Sequence, residues 1–208
     1  MMMQGRYIPL LLATAAFAAC APGDGDTEGS QTARDAESAT TVVLETTMGR
    51  IVMDLNRASA PESVRNFLRY VRGGFYDGLA FHRVQPNVIQ TGLYTADRRA
   101  RSVPDAVPLV NEADNGLKNV RGAVAMARTT DPHSATNQFF INVLDNAGYD
   151  FTAKTVAGWG YAVFGQVTEG LDVLDAIAAV PTRRQGSFPA PLDPIVIERA
   201  YVSEGSEN

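Results

Sequence analysis

Short β-favouring runs, closely spaced and punctuated by turn residues, constrain this chain more than any other feature. Thr41-Val42-Val43-Leu44-Glu45-Thr46 and Ile51-Val52-Met53-Asp54-Leu55 flank Thr47-Met48-Gly49-Arg50, a hairpin signal with Gly49 available for a positive φ. Further runs of this kind fall at 80–85, 87–92, 122–128, 138–143, 160–167 and 195–202. Helical periodicity is confined to two stretches. In the first, Ala60-Pro61 sets proline in an opening turn and Glu62 near the positive helix end. Val64, Phe67, Leu68 and Val71 then recur at i, i+3, i+4 and i+7, and Gly73-Gly74 ends the run. A second helix is expected after Gly170, with Leu171, Leu174 and Ile177 facing inward and Pro181 stopping it. No repeat or linker interrupts 41–202. The pattern predicts one mainly β domain, an antiparallel sheet of about eight strands, closed or nearly closed, with two helices.

The first forty residues do not share this pattern. Arg6 precedes an apolar stretch from Tyr7 to Ala19, interrupted by Pro9. About 13 residues are too few to cross a bilayer as a helix but suit the core of a signal peptide. Small residues lead to Cys20, the only cysteine of the chain. Phe17-Ala18-Ala19-Cys20 resembles a bacterial lipoprotein box, in which the cysteine is lipidated and becomes the mature N-terminus. Plain cleavage near Ala18 or Ala19 is the competing reading, and it leaves a lone thiol exposed in an oxidising compartment. Asp24, Asp26, Glu28, Asp35 and Glu37 against Arg34 then make an acidic tether with almost nothing apolar to offset its ordering entropy. The expected layout is a signal peptide over 1–19, lipidated Cys20 and tether over 20–40, and one domain over 41–204. That layout implies a bacterial envelope protein, periplasmic and lipid-anchored to a membrane. Ala21 after the cysteine favours the outer membrane.

Charge and motif content exclude several functions. Of the formal net charge of −5, the tether carries −4 and Arg6 carries +1, which leaves the domain near −2. A nearly neutral domain offers no electrostatic case for nucleic acid. Arg98, Arg99 and Arg101 cluster in a stretch that reads as a solvated loop. His82 reads as a strand residue and His133 as surface; neither has metal-ligand spacing to a cysteine or a second histidine. No Gly-x-Ser-x-Gly elbow or phosphate-cradling glycine loop occurs. No metal or cofactor is expected.

Two separated runs remain. Phe81-His82-Arg83-Val84, followed by Gln90, sets an arginine among apolar residues; Gln138-Phe139-Phe140-Ile141-Asn142 is aromatic with amides at both ends. Both suit strands with one buried face. A strand arginine alone is usually a surface charge, and paired phenylalanines are usually core. Together they suggest a shallow pocket with a fixed cation and an aromatic floor.

These runs, with Asn111-Glu112-Ala113-Asp114-Asn115-Gly116-Leu117, Gly122-Ala123-Val124-Ala125-Met126-Ala127-Arg128 and Gly160-Tyr161-Ala162-Val163-Phe164-Gly165, resemble the cyclophilin family in order and spacing. The resemblance spans 41–202 and is strongest to bacterial periplasmic cyclophilins, which are peptidyl-prolyl cis-trans isomerases. It implies an eight-stranded antiparallel closed β-barrel capped by two α-helices. It also implies that Arg83 and Gln90 are catalytic, and that Val88, Met126, Ala127, Gln138, Phe140, Tyr149 and Tyr161 bind substrate. Phe81 and Phe139 are expected in the barrel interior. Proline-containing flexible polypeptides are the implied partners, and a monomer is expected.

Departures from the family pattern qualify these expectations. Pro86-Asn87-Val88-Ile89-Gln90 is one residue short, so one pocket wall is missing or rebuilt. Gln85 stands where an apolar residue is usual, Thr91 where glycine is, and Gly148 at a position often aromatic. Tyr161 replaces a frequent histidine, and 150–159 is about three residues longer. Weak cyclosporin binding is therefore expected, with isomerase activity retained at the family's level or below it. The alternative is a catalytically weak binding module for proline-containing segments. Trp159 reads as a packing residue.

Overall fold

The structure, a computed structural model, describes residues 39–103 and 106–203. The signal-like run, Cys20 and the tether up to residue 38 lie outside the described residues; the tether expected over 20–40 needs correction at its end, because Ala39 and Thr40 already belong to the first strand, paired with Asn56 and Leu55. In chain order the elements are β1 (Ala39–Thr46), β2 (Gly49–Asn56), α1 (Pro61–Arg72), β3 (Arg83–Val84), β4 (Val88–Thr91), β5 (Ala123–Met126) and β6 (Phe139–Asn142). They continue with β7 (Val163–Glu169), α2 (Leu171–Ala178), β8 (Thr182–Gln185), β9 (Phe188–Pro191) and β10 (Ile197–Val202). Short 3-10 turns cover Ala113–Asn115 and Ala147–Tyr149.

Eight strands form one antiparallel sheet in the order β10-β1-β2-β7-β5-β6-β4-β3. The closed barrel expected from sequence needs one correction, because the two end strands share no ladder. The sheet curls until the chain before β3 meets the chain before β10. There Ala80 bridges Val196, the Phe81 N–H donates to Ile195 O at 2.9 Å and the Ile197 N–H donates to Leu79 O at 2.8 Å. Two physical reasons keep the seam short. β3 has only two residues, and Pro194 cannot donate to a ladder.

Alternation decides what each strand buries. Ile89, Val124, Met126, Phe139 and Ile141 point inward, into a core that also holds Leu44, Ile51, Met53 and Phe81. Phe67 from α1 plugs one end, with its ring 5.1 Å from Phe139, 5.2 Å from Phe164 and 5.3 Å from Tyr76. At the second helix, the inward side chains Leu174 and Ile177 are fully buried.

The start of α1 is satisfied from far along the chain. Ala60 at the N-cap has no side chain able to cap. Pro61 has no N–H to satisfy, and the Val64 N–H reaches Ala60 O. The carboxylate of Glu112 accepts from the Glu62 N–H at 3.0 Å and the Ser63 N–H at 2.8 Å. A carboxylate at the positive end of a helix is favourable for the same reason as an ordinary acidic cap.

Candidate functional site

The outer face of the sheet carries a row set by register. Arg83 pairs with Gln90, Gln90 with Phe140, and Phe140 with Ala125, so four strands (β3, β4, β6, β5) contribute one directly opposed residue each. Residues opposite one another across antiparallel strands share a face. Hydrogen bonds tie the polar end of the row together. The Arg83 Nη1–H donates to Gln90 Oε1 at 3.2 Å, and the Gln90 Nε2–H donates to Gln138 Oε1 at 3.1 Å. Arg83 also donates from Nε to Gln85 Oε1 at 2.8 Å. Among the described residues these two glutamines are its hydrogen-bond partners, so the remaining N–H groups of the guanidinium are uncommitted.

Beside the polar end lies an aromatic one. Phe140, Tyr149 and Tyr161 stand mutually at 5.0 to 5.8 Å between ring centroids, two of the three pairs edge to face. Val88, Ala123, Ala125 and Val163 back them as a second apolar cluster, separate from the barrel core. The chain brings the two tyrosines together by a close backbone approach: the Tyr161 N–H donates to Tyr149 O at 2.9 Å. Gly160, at φ +63°, makes the approach possible, since a Cβ there would strike Tyr149 O. The Arg128 guanidinium covers Tyr161 at 4.7 Å from the ring centroid.

The structure therefore brings together Arg83, Gln90, Gln138, Phe140, Val88, Ala127, Tyr149 and Tyr161. It does not bring the Met126 side chain to them. Met126 alternates with Ala125 and Ala127, so its thioether is buried in the barrel core and only its backbone lies on the outer strand. Phe81 and Phe139 pack the barrel interior.

The shortened stretch after Arg83 is a tight hairpin. The Gln85 N–H donates to Val88 O at 2.9 Å, which leaves Pro86-Asn87 as the turn. Asn87 is then tied to the opposite loop: its Nδ2 donates to Asn146 Oδ1 at 2.9 Å and lies 3.4 Å from the Tyr149 hydroxyl. The pocket wall is rebuilt from Asn87 and Tyr149. Gly148 leaves open space, since a Cβ on it would meet nothing within 4 Å.

A cleft of about 600 Å3 adjoins this pocket and shares Gln90, Ala127 and Gln138 with it. Its other walls include Tyr94, Arg98, Thr129, Ser134 and Phe188, and no acidic side chain lines it among the described residues. His82 also faces it. Burial, and secondarily the charge of Arg83, lowers the His82 pKa to about 4, and its Nδ1 is buried without a partner. The imidazole is neutral at pH 7 and supplies no general acid. Arg101 departs from the solvated reading of its cluster: Nη1 donates to Phe75 O at 2.7 Å and Asp77 O at 2.6 Å, holding the loop against the end of α1.

Sequence reading missed the β8–β9 hairpin and with it Phe188, whose ring lies 4.8 Å from the Arg83 Cζ. Gly186-Ser187 was the available signal, but every β8 residue is exposed, so the strand has no buried period to detect.

Comparison with known proteins agrees with this architecture. Residues 41–202 match the family model described as cyclophilin type peptidyl-prolyl cis-trans isomerase/CLD. The peptidyl-prolyl cis-trans isomerase cyp18 of Streptomyces antibioticus is 57% identical over 164 residues, covering 78% of this chain and 98% of that protein. Peptidyl-prolyl cis-trans isomerase B of Escherichia coli K12 is 46% identical, covering 78% of this chain and 99% of that one. Among solved structures, a cyclophilin type isomerase of Cryptosporidium parvum superposes with a TM-score of 0.65 at 22% identity, over 79% of this chain and 98% of that one. The same protein solved in the presence of the dipeptide Ala-Pro gives 0.63, over 78% and 98%. The chain belongs to the cyclophilin-type peptidyl-prolyl cis-trans isomerases.

Proposed function

We propose that the outer-face row carries out the isomerisation, with Arg83 as the group that acts on the proline nitrogen. An X–Pro bond turns slowly because rotation breaks amide resonance, a barrier of about 18–20 kcal/mol. As the bond twists, the nitrogen pyramidalises and gains a lone pair that a donor can stabilise. A donor placed for the twisted geometry stabilises mainly the transition state, which lowers the barrier without covalent chemistry. Guanidinium suits this because it stays charged and holds its donors in one plane. Gln90 and Gln138 orient it and hold a neighbouring carbonyl, while Phe140 with Tyr149 and Tyr161 grips the pyrrolidine ring so that the preceding carbonyl swings. The register row that sets Arg83 two strands from Phe140, both on one face, carries this reading. The Ala-Pro dipeptide used with the Cryptosporidium relative supports proline peptides as the ligand class.

The test is the cis-to-trans rate of a short proline peptide with residues 41–208 and its Arg83→Ala variant. The expected loss in kcat/KM is about 10²–10³-fold, the scale for removing one donor to a developing charge. Wild-type protein that binds the peptide without accelerating it would make the domain a binding module. Cyclosporin is expected to bind weakly, since Gly148 offers no ring beside the pocket.

The reading extends to location. Cys20 is the lipid-bearing residue of the mature protein, and residues 21–38 tether the domain to a membrane, with the outer membrane of a bacterial envelope favoured. Its clients are then envelope polypeptides that fold after export. The Phe17-Ala18-Ala19-Cys20 sequence and the acidic, apolar-poor stretch behind it support this. Intact mass of membrane-extracted protein is expected to show an acylated N-terminal cysteine. A Cys20→Ser form that stays equally membrane-bound would overturn it.

A further inference from the structure

Arg83 is held on three sides, and two of its three neighbours have no part in the mechanism proposed above. Gln90 takes one Nη1–H, yet its own amide N–H is committed to Gln138, so it fixes one corner of the guanidinium only. Gln85 takes the Nε–H at 2.8 Å, and the Phe188 ring lies against the Arg83 Cζ, 4.8 Å from ring centroid to carbon. Phe188 does not owe its place to core burial, since it is 42% exposed. It opens β9, in a two-stranded hairpin that stands apart from the main sheet and whose other strand is wholly exposed. Gly186 at φ +59° turns the hairpin so that Phe188 pairs with Gln185 and faces β3.

A free arginine side chain has substantial rotamer entropy to lose on being ordered. Held at Nε, at Nη1 and against one face, the guanidinium has lost it before a peptide arrives. The donors left on Nη1 and Nη2 make no hydrogen bond among the described residues. We propose that Gln85 and Phe188 are positioning residues for Arg83, clamping its guanidinium in the plane from which the free N–H groups meet the proline nitrogen. The inference rests on Arg83 acting there. It gives the β8–β9 hairpin a role, and it explains what an amide at position 85 does that an apolar side chain would not.

The experiment measures kcat and KM separately by two-dimensional exchange on a proline peptide, together with the unfolding midpoint and the Arg83 Nε–H resonance. Phe188→Leu keeps apolar bulk but removes the ring, and is expected to lower kcat about two- to fivefold, the range of a partly exposed cation–π contact. Phe188→Tyr restores it. Gln85→Leu lowers kcat about tenfold, as loss of a charge-assisted hydrogen bond does, and broadens the Nε–H resonance. In an Arg83→Ala background, Phe188→Leu changes nothing further. Wild-type kcat in both Phe188→Leu and Gln85→Leu, with Arg83→Ala still inactive, would overturn the clamp while leaving the catalytic arginine standing. A full additional loss from Phe188→Leu in the Arg83→Ala background would also overturn it, since Phe188 would then act on the peptide directly. Full activity in Arg83→Ala would remove the underlying reading itself.

Discussion

The same three strands, β4, β6 and β5, have two faces with opposite tasks. Inward, Ile89, Ile141, Phe139, Val124 and Met126 belong to one continuous core packed against α1. Outward, Val88, Gln90, Phe140 and Ala125 carry a small apolar cluster and an amide chain leading to Arg83. Neighbouring residues in sequence therefore differ in what they are for: Phe139 closes the core and Phe140 floors a pocket. A sheet permits this because its side-chain period is two, so adjacent positions are selected almost independently. On the proposed function, stability and catalysis are separable one residue at a time.

The largest effect breaks the inner face. Phe139 is fully buried and stacks edge to face on Phe67 and Tyr76. Phe139→Ala is expected to cost about 3–5 kcal/mol in denaturant unfolding. Phe140→Ala removes the same ring from the outer cluster; it should lower kcat/KM by more than tenfold with a smaller loss of stability. Equal stability losses with activity intact in both would mean the two faces are not divided as described.

A second effect comes from His82, which lies between the core residue Phe81 and Arg83, with its ring 5.5 Å from that of Tyr94. Its folded pKa of about 4 lies below the ordinary 6.5, chiefly because of burial. Between these values the unfolded chain binds a proton that the folded one refuses, so this contribution to stability is complete above pH 6.5 and is lost as pH falls toward 4. The integrated loss is of order 3 kcal/mol. Unfolding curves from pH 7.5 to 4.5 should show the slope, and His82→Phe should flatten it.

The smallest effect tests support remote from both faces. Glu112→Ala leaves two N–H groups of α1 uncapped and should cost about 1–2 kcal/mol, with kcat unchanged. Isomerase assays beside thermal unfolding check both halves of that expectation.

Much of this was legible in the sequence, for a reason that also marks where legibility stops. Strands with one buried face announce themselves by composition and period, and the eight sheet strands and both helices coincide with the stretches read from them, although β1, β2 and β7 run about two residues past the expected bounds. Their ends were less readable: 80–85 shrinks to Arg83–Val84, because Leu79 to Phe81 serve the seam instead. β8 and β9 were invisible, since Thr182-Arg183-Arg184-Gln185 buries nothing and Phe188-Pro189-Ala190-Pro191 carries two prolines. At the site, motif resemblance supplied the residue types but not their facing. The resemblance places Met126 in the pocket, and only register shows its side chain in the core. The shortened 86–90 stretch left a missing wall and a rebuilt one equally open. The wall is rebuilt, through hydrogen bonds from Asn87 to the 146–149 loop that spacing alone does not reveal.

The most direct test of the central division is backbone amide shift mapping during titration with a short Ala-Pro peptide. The account predicts that the largest shifts fall at Gln90, Ala125, Ala127, Phe140 and Tyr161, with Thr95 and Arg98 across the adjoining cleft little moved. Shifts centred on Thr95, Arg98 and Ser134, with Phe140 and Tyr161 unmoved, would contradict it and place proline binding in the adjoining cleft instead.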